Sequence, residues 1–253
     1  MALAPAQAPP RNELRRMEII AAPSPPAWCR RHEPPTLVSG TIHVWRATLA
    51  GAAFAAPRGR GMLAADEIGR AAQYRFGRDR AQFIVTRALL RILLGRYLDT
   101  APSQISLTYG PSGKPELVTS AHPLRLRFNV SRSNDVALYA FALDRQVGID
   151  VERIRSDVAV ETVAEHFFSP SEVATLRRLP SSLQAQAFFD GWTRKEAYVK
   201  ATGRGIGEGF GDAIDLARWS VCALDPAPGY AAALVAEGHD WHLERYDSEV
   251  AIA

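Results

Sequence analysis

The chain has 253 residues, 47% hydrophobic and 23% charged, with a formal net charge of +3. That length supports one large core or two small ones, the composition is that of an ordinary globular protein, and no run of about 18 apolar residues offers a membrane span. The two cysteines, Cys29 and Cys222, exclude a disulfide framework or a cysteine-rich zinc site and suit a reducing cytoplasm, while the mild positive charge favours an anionic ligand or acidic partner without requiring nucleic acid.

Residues 1 to about 38 are rich in proline, with runs at Pro9-Pro10, Pro25-Pro26 and Pro34-Pro35. Such runs forbid regular helix and predict a flexible tail. No apolar stretch precedes a small-residue cleavage site there, so it does not read as a secretory signal. Order is expected to begin with a strand over Thr41–Leu49. A helical stretch follows from about Asp66 to Leu98, broken near Gly77, in which Phe83, Ile84, Arg87, Leu90, Arg91 and Leu94 recur at helical spacing. Its apolar face is expected to look inward and its arginines outward.

Short strands are predicted over Ile105–Tyr109, Leu124–Val130, Val136–Leu143 and Val147–Glu152, joined by turn-forming residues. Helices return at about Val158–Phe167, Pro170–Leu179 and Leu183–Thr202. Strands resume at about Ile214–Cys222, Tyr230–Val235 and Trp241–Tyr246. Strand, helix and strands thus occur twice, which predicts an α+β fold of two similar halves, each a small antiparallel sheet packed with helices and related by a pseudo-two-fold. The expected divisions are a tail (1–38), an N-terminal half (39–145) and a C-terminal half (146–253). Ser169-Pro170-Ser171-Glu172 reads as a capping box opening a helix.

The segment Val147-Gly148-Ile149-Asp150-Val151-Glu152 carries the most chemical information. Period-two alternation puts three apolar residues on one strand face and both carboxylates, Asp150 and Glu152, on the other. Like charges so placed raise each other's protonation, and a shared divalent cation relieves the repulsion. Oxygen-only ligands favour magnesium over zinc. An isolated pair of this kind is also how a solvated strand end looks, paired with Arg153 or Arg155.

Trp192-Thr193-Arg194-Lys195-Glu196-Ala197-Tyr198-Val199-Lys200 lies on a helix with Glu196 and Lys200 one turn apart. That spacing makes an ordinary surface salt bridge, or a carboxylate that completes a metal site beside a lysine that holds a phosphate oxygen. Gly203, Gly205, Gly207, Gly209 and Gly211 then end the helix in a pliable loop. Lys114, in the tight turn Gly110-Pro111-Ser112-Gly113-Lys114-Pro115, is placed to meet a phosphate as a point charge. Phe128-Asn129-Val130-Ser131-Arg132-Ser133 ends a strand with small donors beside an arginine, a suitable phosphate clamp. Arg70, Arg75, Arg78, Arg80 and Arg87 form a basic cluster around the first long helix.

In order, GKP at 113–115, FNVSRS at 128–133, GIDVE at 148–152, FFSPSE at 167–172 and WTRKEAYVKATGRG at 192–205 resemble the signature of Sfp-type 4'-phosphopantetheinyl transferases. The resemblance covers roughly residues 60–215. It implies an enzyme in which Asp150, Glu152 and Glu196 ligate Mg2+ and Lys200 contacts the diphosphate of coenzyme A. It further implies that Lys114, Ser131 and Arg132 line the nucleotide and phosphate pocket, with Arg70 near the 3'-phosphate. The family usually has histidine where this chain has Arg132, and often arginine where it has Gln82.

The implied reaction is attack by a carrier-protein serine on the β-phosphorus of coenzyme A, releasing adenosine 3',5'-bisphosphate. The serine proton then passes to Glu196 or a metal-bound water. The partners are an acyl or peptidyl carrier protein and coenzyme A, with no nucleic acid and no membrane, and an internally duplicated chain is expected to work as a monomer. Two alternatives use the same residues: a magnesium-dependent phosphohydrolase, and a non-catalytic module that binds coenzyme A or a carrier.

Overall fold

The structure is a computed structural model and describes residues 27–118, 125–204 and 214–248. Strands β1 (Cys29–Arg31) and β2 (Thr41–Thr48) come first, then helices α1 (Ala52–Arg60), α2 (Ala65–Ala72) and α3 (Gly77–Leu98). Hairpin β3 (Leu107–Tyr109) and β4 (Pro115–Leu117) leads to β5 (Leu126–Ser133), β6 (Val136–Leu143) and β7 (Val147–Arg153). Helices α4 (Val160–Phe167), α5 (Pro170–Arg178) and α6 (Ser181–Thr202) precede β8 (Trp219–Leu224), β9 (Tyr230–Glu237) and β10 (His242–Ser248). The class is α+β, as expected. The sequence reading omits α1, whose Pro57 and Gly59 read as helix breakers.

Two main sheets stack between helices. The first has the order β1-β10-β2-β6-β5 and the second β7-β9-β8. Alternation along β6 explains the layering: Tyr139 and Phe141 meet Phe83 and Leu90 of α3 on one face, while Leu138 and Ala140 meet Ile149 and Leu234 of the second sheet on the other. Helix α6 covers the far side of that second sheet through Ala197, Tyr198 and Ala201 against Ala233 and Val235. The layers therefore run helix, sheet, sheet, helix, and the two sheets meet along β5 and β7.

Three expectations are corrected. First, α3 is buried all round from Gln82 to Gly95, because α1 covers its outer side, so Arg87 and Arg91 point inward. Arg91 is accommodated by a buried pair with Glu67 at 2.7 Å and by the carbonyls of Pro102 and Ile105, as a buried charge requires. Second, the sheets are not matched antiparallel copies. β10, from the end of the chain, joins the first sheet and runs parallel to β1 and β2, crossing the division expected near residue 145. Third, β1 falls inside the segment expected to be a flexible tail; the Arg46 guanidinium sits 4.7 Å above the neighbouring Trp28 ring, whose Nε1–H donates to Asp225 O. Residues 1–26 and the glycines at 205–211 lie outside the described residues.

Candidate active site

Gly148 decides how the site is assembled. A Cβ built on it would stand 2.0 Å from Ala197 O and 2.4 Å from Ala201 N, so α6 rests main chain to main chain on β7 at this residue. Any side chain would push the helix away. The close approach brings the carboxylate face of β7 beneath Glu196 and Lys200.

Asp150 is 3% exposed. Its Oδ1 accepts from Lys200 Nζ at 2.6 Å and Ser131 Oγ at 2.8 Å, and Lys200 Nζ is also 3.1 Å from Ser131 Oγ. Its Oδ2 is buried and has no hydrogen-bond partner. An orphaned carboxylate oxygen carries a desolvation cost that a bound cation would remove. Glu152 accepts from Ser133 Oγ at 2.7 Å. Burial pushes its carboxyl above the usual range against the Ser133 hydrogen bond, with the Asp150 charge adding to the rise. Glu196 is raised as well, chiefly by burial, with Lys200 opposing and both strand carboxylates reinforcing.

Three carboxylates thus sense one another around a single ammonium. Among the described residues no three acidic, histidine or cysteine side chains converge as a finished metal cage; in this arrangement Lys200 takes the Asp150 oxygen that faces Ser131. The donor set nonetheless fits a hard divalent cation: three carboxyl groups, two of them raised by their surroundings, and one unpartnered buried oxygen.

The remaining predicted residues border this centre to different degrees. Lys114 Nζ donates to Lys200 O at 2.7 Å and Val147 O at 3.3 Å, so two of its three N–H groups are committed to main chain. Burial lowers its pKa to about 8, with Glu116 opposing and Arg127 adding. Arg132 leaves the face occupied by Ser131 and Ser133; its guanidinium lies 5.6 Å from the Tyr74 ring centroid and makes a long 3.5 Å contact to Gln82 Oε1. Arg70, exposed on α2, reaches the Gly113 turn, its Nη2 3.9 Å from where a Cβ on that glycine would stand.

Arg87 has a buried Nη1 without a partner and stacks near Phe83 and Tyr109. An open cleft of about 410 Å³ is lined by Lys114, Tyr198, Thr202, Gly203, Arg204 and Trp219 among others, and not by the three carboxylates. The capping box forms as expected, and its Glu172 also holds Lys195 at 3.1 Å, next to Glu196. Sequence reasoning set Asn129 and Ser133 in the phosphate-clamp segment without a role of their own; here Asn129 accepts from Ile149 N–H and Ser133 donates to Glu152. Their signal was present in the period-two spacing of Asn129, Ser131 and Ser133, which puts all three on one face of β5.

Family models match both parts of the chain. Residues 146–253 match the 4'-phosphopantetheinyl transferase superfamily, and residues 45–143 match the N-terminal model of 4'-phosphopantetheinyl transferases. The 4'-phosphopantetheinyl transferase HetI of Nostoc sp. is 36% identical over 219 residues, covering 81% of this chain and 92% of that protein. The chain belongs to the 4'-phosphopantetheinyl transferase family. A protein of Synechocystis sp. described as a putative 4'-phosphopantetheinyl transferase is 36% identical over 158 residues, 62% of this chain and 64% of its own. The human L-aminoadipate-semialdehyde dehydrogenase-phosphopantetheinyl transferase is 30% identical over 151 residues, 56% of this chain and 48% of its own. Among the described residues no helix is long and apolar enough to cross a membrane.

Proposed function

We propose that this transferase moves the 4'-phosphopantetheine arm of coenzyme A onto a serine of an apo acyl or peptidyl carrier protein, with Mg2+ held by Asp150, Glu152 and Glu196. The observation that carries the reading is the buried Asp150 carboxylate, shared between Lys200 and Ser131 on one oxygen and unpartnered on the other. When bound there, the cation supplies neutralisation of the diphosphate and of the charge that grows on the leaving group.

The protein's own residues do the rest by position and charge. Lys200, whose side chain is 27% exposed, offers its free donor to a diphosphate oxygen. Ser131, its one O–H given to Asp150 Oδ1 while it accepts from Lys200, lines the pocket; Arg132 stands at the end of β5 to hold phosphate oxygens, and Arg70 rims the turn where a 3'-phosphate would lie. Lys114 contributes its third N–H at most. The cleft beside Gly203 falls within the range of roughly 300–1,000 Å³ typical of small-molecule sites. Glu196, a carboxylate made more basic by burial, accepts the proton of the carrier serine as the serine oxygen bonds to the β-phosphorus and adenosine 3',5'-bisphosphate departs. No enzyme nucleophile is needed.

The test is intact-mass analysis of apo carrier proteins incubated with the enzyme, coenzyme A and magnesium. A gain of about 340 Da, the mass of one phosphopantetheine added by phosphoryl transfer, should appear and should vanish with Asp150→Ala. Release of a nucleotide without any carrier would instead establish a phosphohydrolase. Coenzyme A binding with no gain on any carrier would establish a binding module.

A further inference from the structure

β7 is an edge strand, paired with β9 on one side only. Such an edge presents unpaired N–H and C=O groups, yet β7 is buried from Val147 to Val151, where those groups must find partners. The partners are side chains of the N-terminal half. Lys114 Nζ donates to Val147 O at 3.3 Å, Ile149 N–H donates to Asn129 Oδ1 at 2.8 Å, and Arg153 N–H donates to Ser133 Oγ at 3.1 Å. The main-chain groups of odd-numbered residues point to this free edge, whereas Gln146 O, of the even set, accepts from Glu237 N at the end of β9.

Lys114 and Asn129 grip the main chain on either side of Gly148, the residue on which α6 rests. Lys114 also donates to Lys200 O at 2.7 Å. One ammonium therefore binds both the strand that carries Asp150 and the main chain of the residue whose own ammonium holds Asp150. Two carbonyls from different elements call for a donor with several N–H groups on a flexible stem, which is lysine. Asn129, 3% exposed, supplies the acceptor that a strand neighbour would otherwise provide.

We infer that Lys114 and Asn129 are positioning residues that clamp β7 around Gly148 and so set the distance at which Lys200 and Asp150 meet. This deepens the transferase reading and rests on it for its kinetic consequences; the clamp itself is visible without any reaction. It gives Lys114 a task other than holding phosphate.

The experiment compares full-length wild type with Lys114→Met, Lys114→Arg and Asn129→Ala, by amide hydrogen exchange and by carrier-modification kinetics. Lys114→Met and Asn129→Ala should speed exchange in the β7 peptide while β6 stays protected. They should also lower kcat by about 30-fold and leave KM for coenzyme A within about twofold, since misplacing groups by an ångström costs on the order of a hundredfold. The magnesium needed for half-maximal rate should rise with them, a change that loss of folded protein alone would not produce. Lys114→Arg, which keeps two donors, should restore most of both properties.

Unchanged β7 exchange in Lys114→Met and Asn129→Ala would overturn the inference. So would a rise in KM for coenzyme A with kcat preserved in Lys114→Met, the signature of a phosphate ligand. If the wild type modifies no carrier, the transferase reading fails and the exchange measurement alone decides the clamp. If Asn129→Ala does not fold, Lys114→Met carries the same comparison.

Discussion

Lys200 Nζ lies 2.6 Å from Asp150 Oδ1, and the other oxygen of that buried carboxylate has no partner. The lysine and a divalent cation therefore draw on one anion. Removing the ammonium by Lys200→Met leaves Asp150, Glu152 and Glu196 uncompensated, so magnesium affinity should hold or rise while transfer falls by about a hundredfold or more, the usual cost of losing a charge aimed at the reacting phosphate. Asp150→Asn should lose about tenfold in magnesium affinity, which corresponds to roughly 1.4 kcal/mol, together with activity. Calorimetric titration of both variants checks this; cation binding lost with Lys200→Met would show that the lysine does not compete for Asp150.

Gly148→Ala tests the contact that assembles the site. Its Cβ would stand 2.0 Å from Ala197 O, a main-chain atom inside a 22-residue helix that cannot yield locally. Overpacking of this kind costs about 3 kcal/mol or more, a fall of roughly 6–12 °C in Tm for a chain of this size. Thermal unfolding measures it. A Tm within a few degrees of wild type would mean that α6 and β7 are not in main-chain contact there.

The centre of the site was legible because local periodicity dictates it. Alternation along Val147–Glu152 put Asp150 and Glu152 on one face, where Ser131 and Ser133 now meet them, and one helical turn separates Glu196 from Lys200. What stayed hidden depends on contacts distant in sequence. Arg87 and Arg91 read as solvent-facing until α1, disguised by Pro57, is seen to cover α3. Lys114 read as a free cation because its carbonyl partners lie 33 and 86 residues away. β10 could be seen as a strand, but nothing in its own residues states that it crosses to pair with β2.

The Arg132 guanidinium is spread between the Tyr74 ring and Gln82. A cation that holds phosphate equally in the bound complex and at the transition state affects KM rather than kcat. Arg132→Ala should raise KM for coenzyme A about tenfold, the worth of one charge-assisted contact, with kcat changed less than about threefold. Steady-state kinetics decide it; a large fall in kcat at constant KM would place Arg132 among the groups that act on the transition state.

A buried histidine lies far from the three site carboxylates, between β2 and β10. His43, 1% exposed, has its Nδ1 2.8 Å from Tyr97 Oη, which also accepts from Trp45 Nε1 at 2.8 Å. With the Trp45 N–H donating to the tyrosine oxygen, the Tyr97 O–H finds its acceptor in His43 Nδ1 when the ring proton sits on Nε2, the tautomer that faces Glu244 Oε2 at 3.4 Å. Burial lowers the His43 pKa from 6.5 to about 4, with Glu244 opposing and His242 adding. Below 6.5 the unfolded chain takes up this proton while the folded protein refuses it, so the unfolded state binds more protons and stability falls with pH down to about 4. The contribution, fully present at neutral pH, is about 3 kcal/mol. Between pH 7 and pH 4.5, as reference points in that window, about 2.5 kcal/mol of it is lost, and wild type should therefore lose about 5–10 °C more in Tm than His43→Gln, which keeps hydrogen-bonding capacity but cannot titrate. Every other acid-labile group is common to both proteins, so the difference reports His43 alone. Parallel losses in the two would mean that the ring is protonated in the folded state and that its link between β2 and β10 is an ion pair with Glu244.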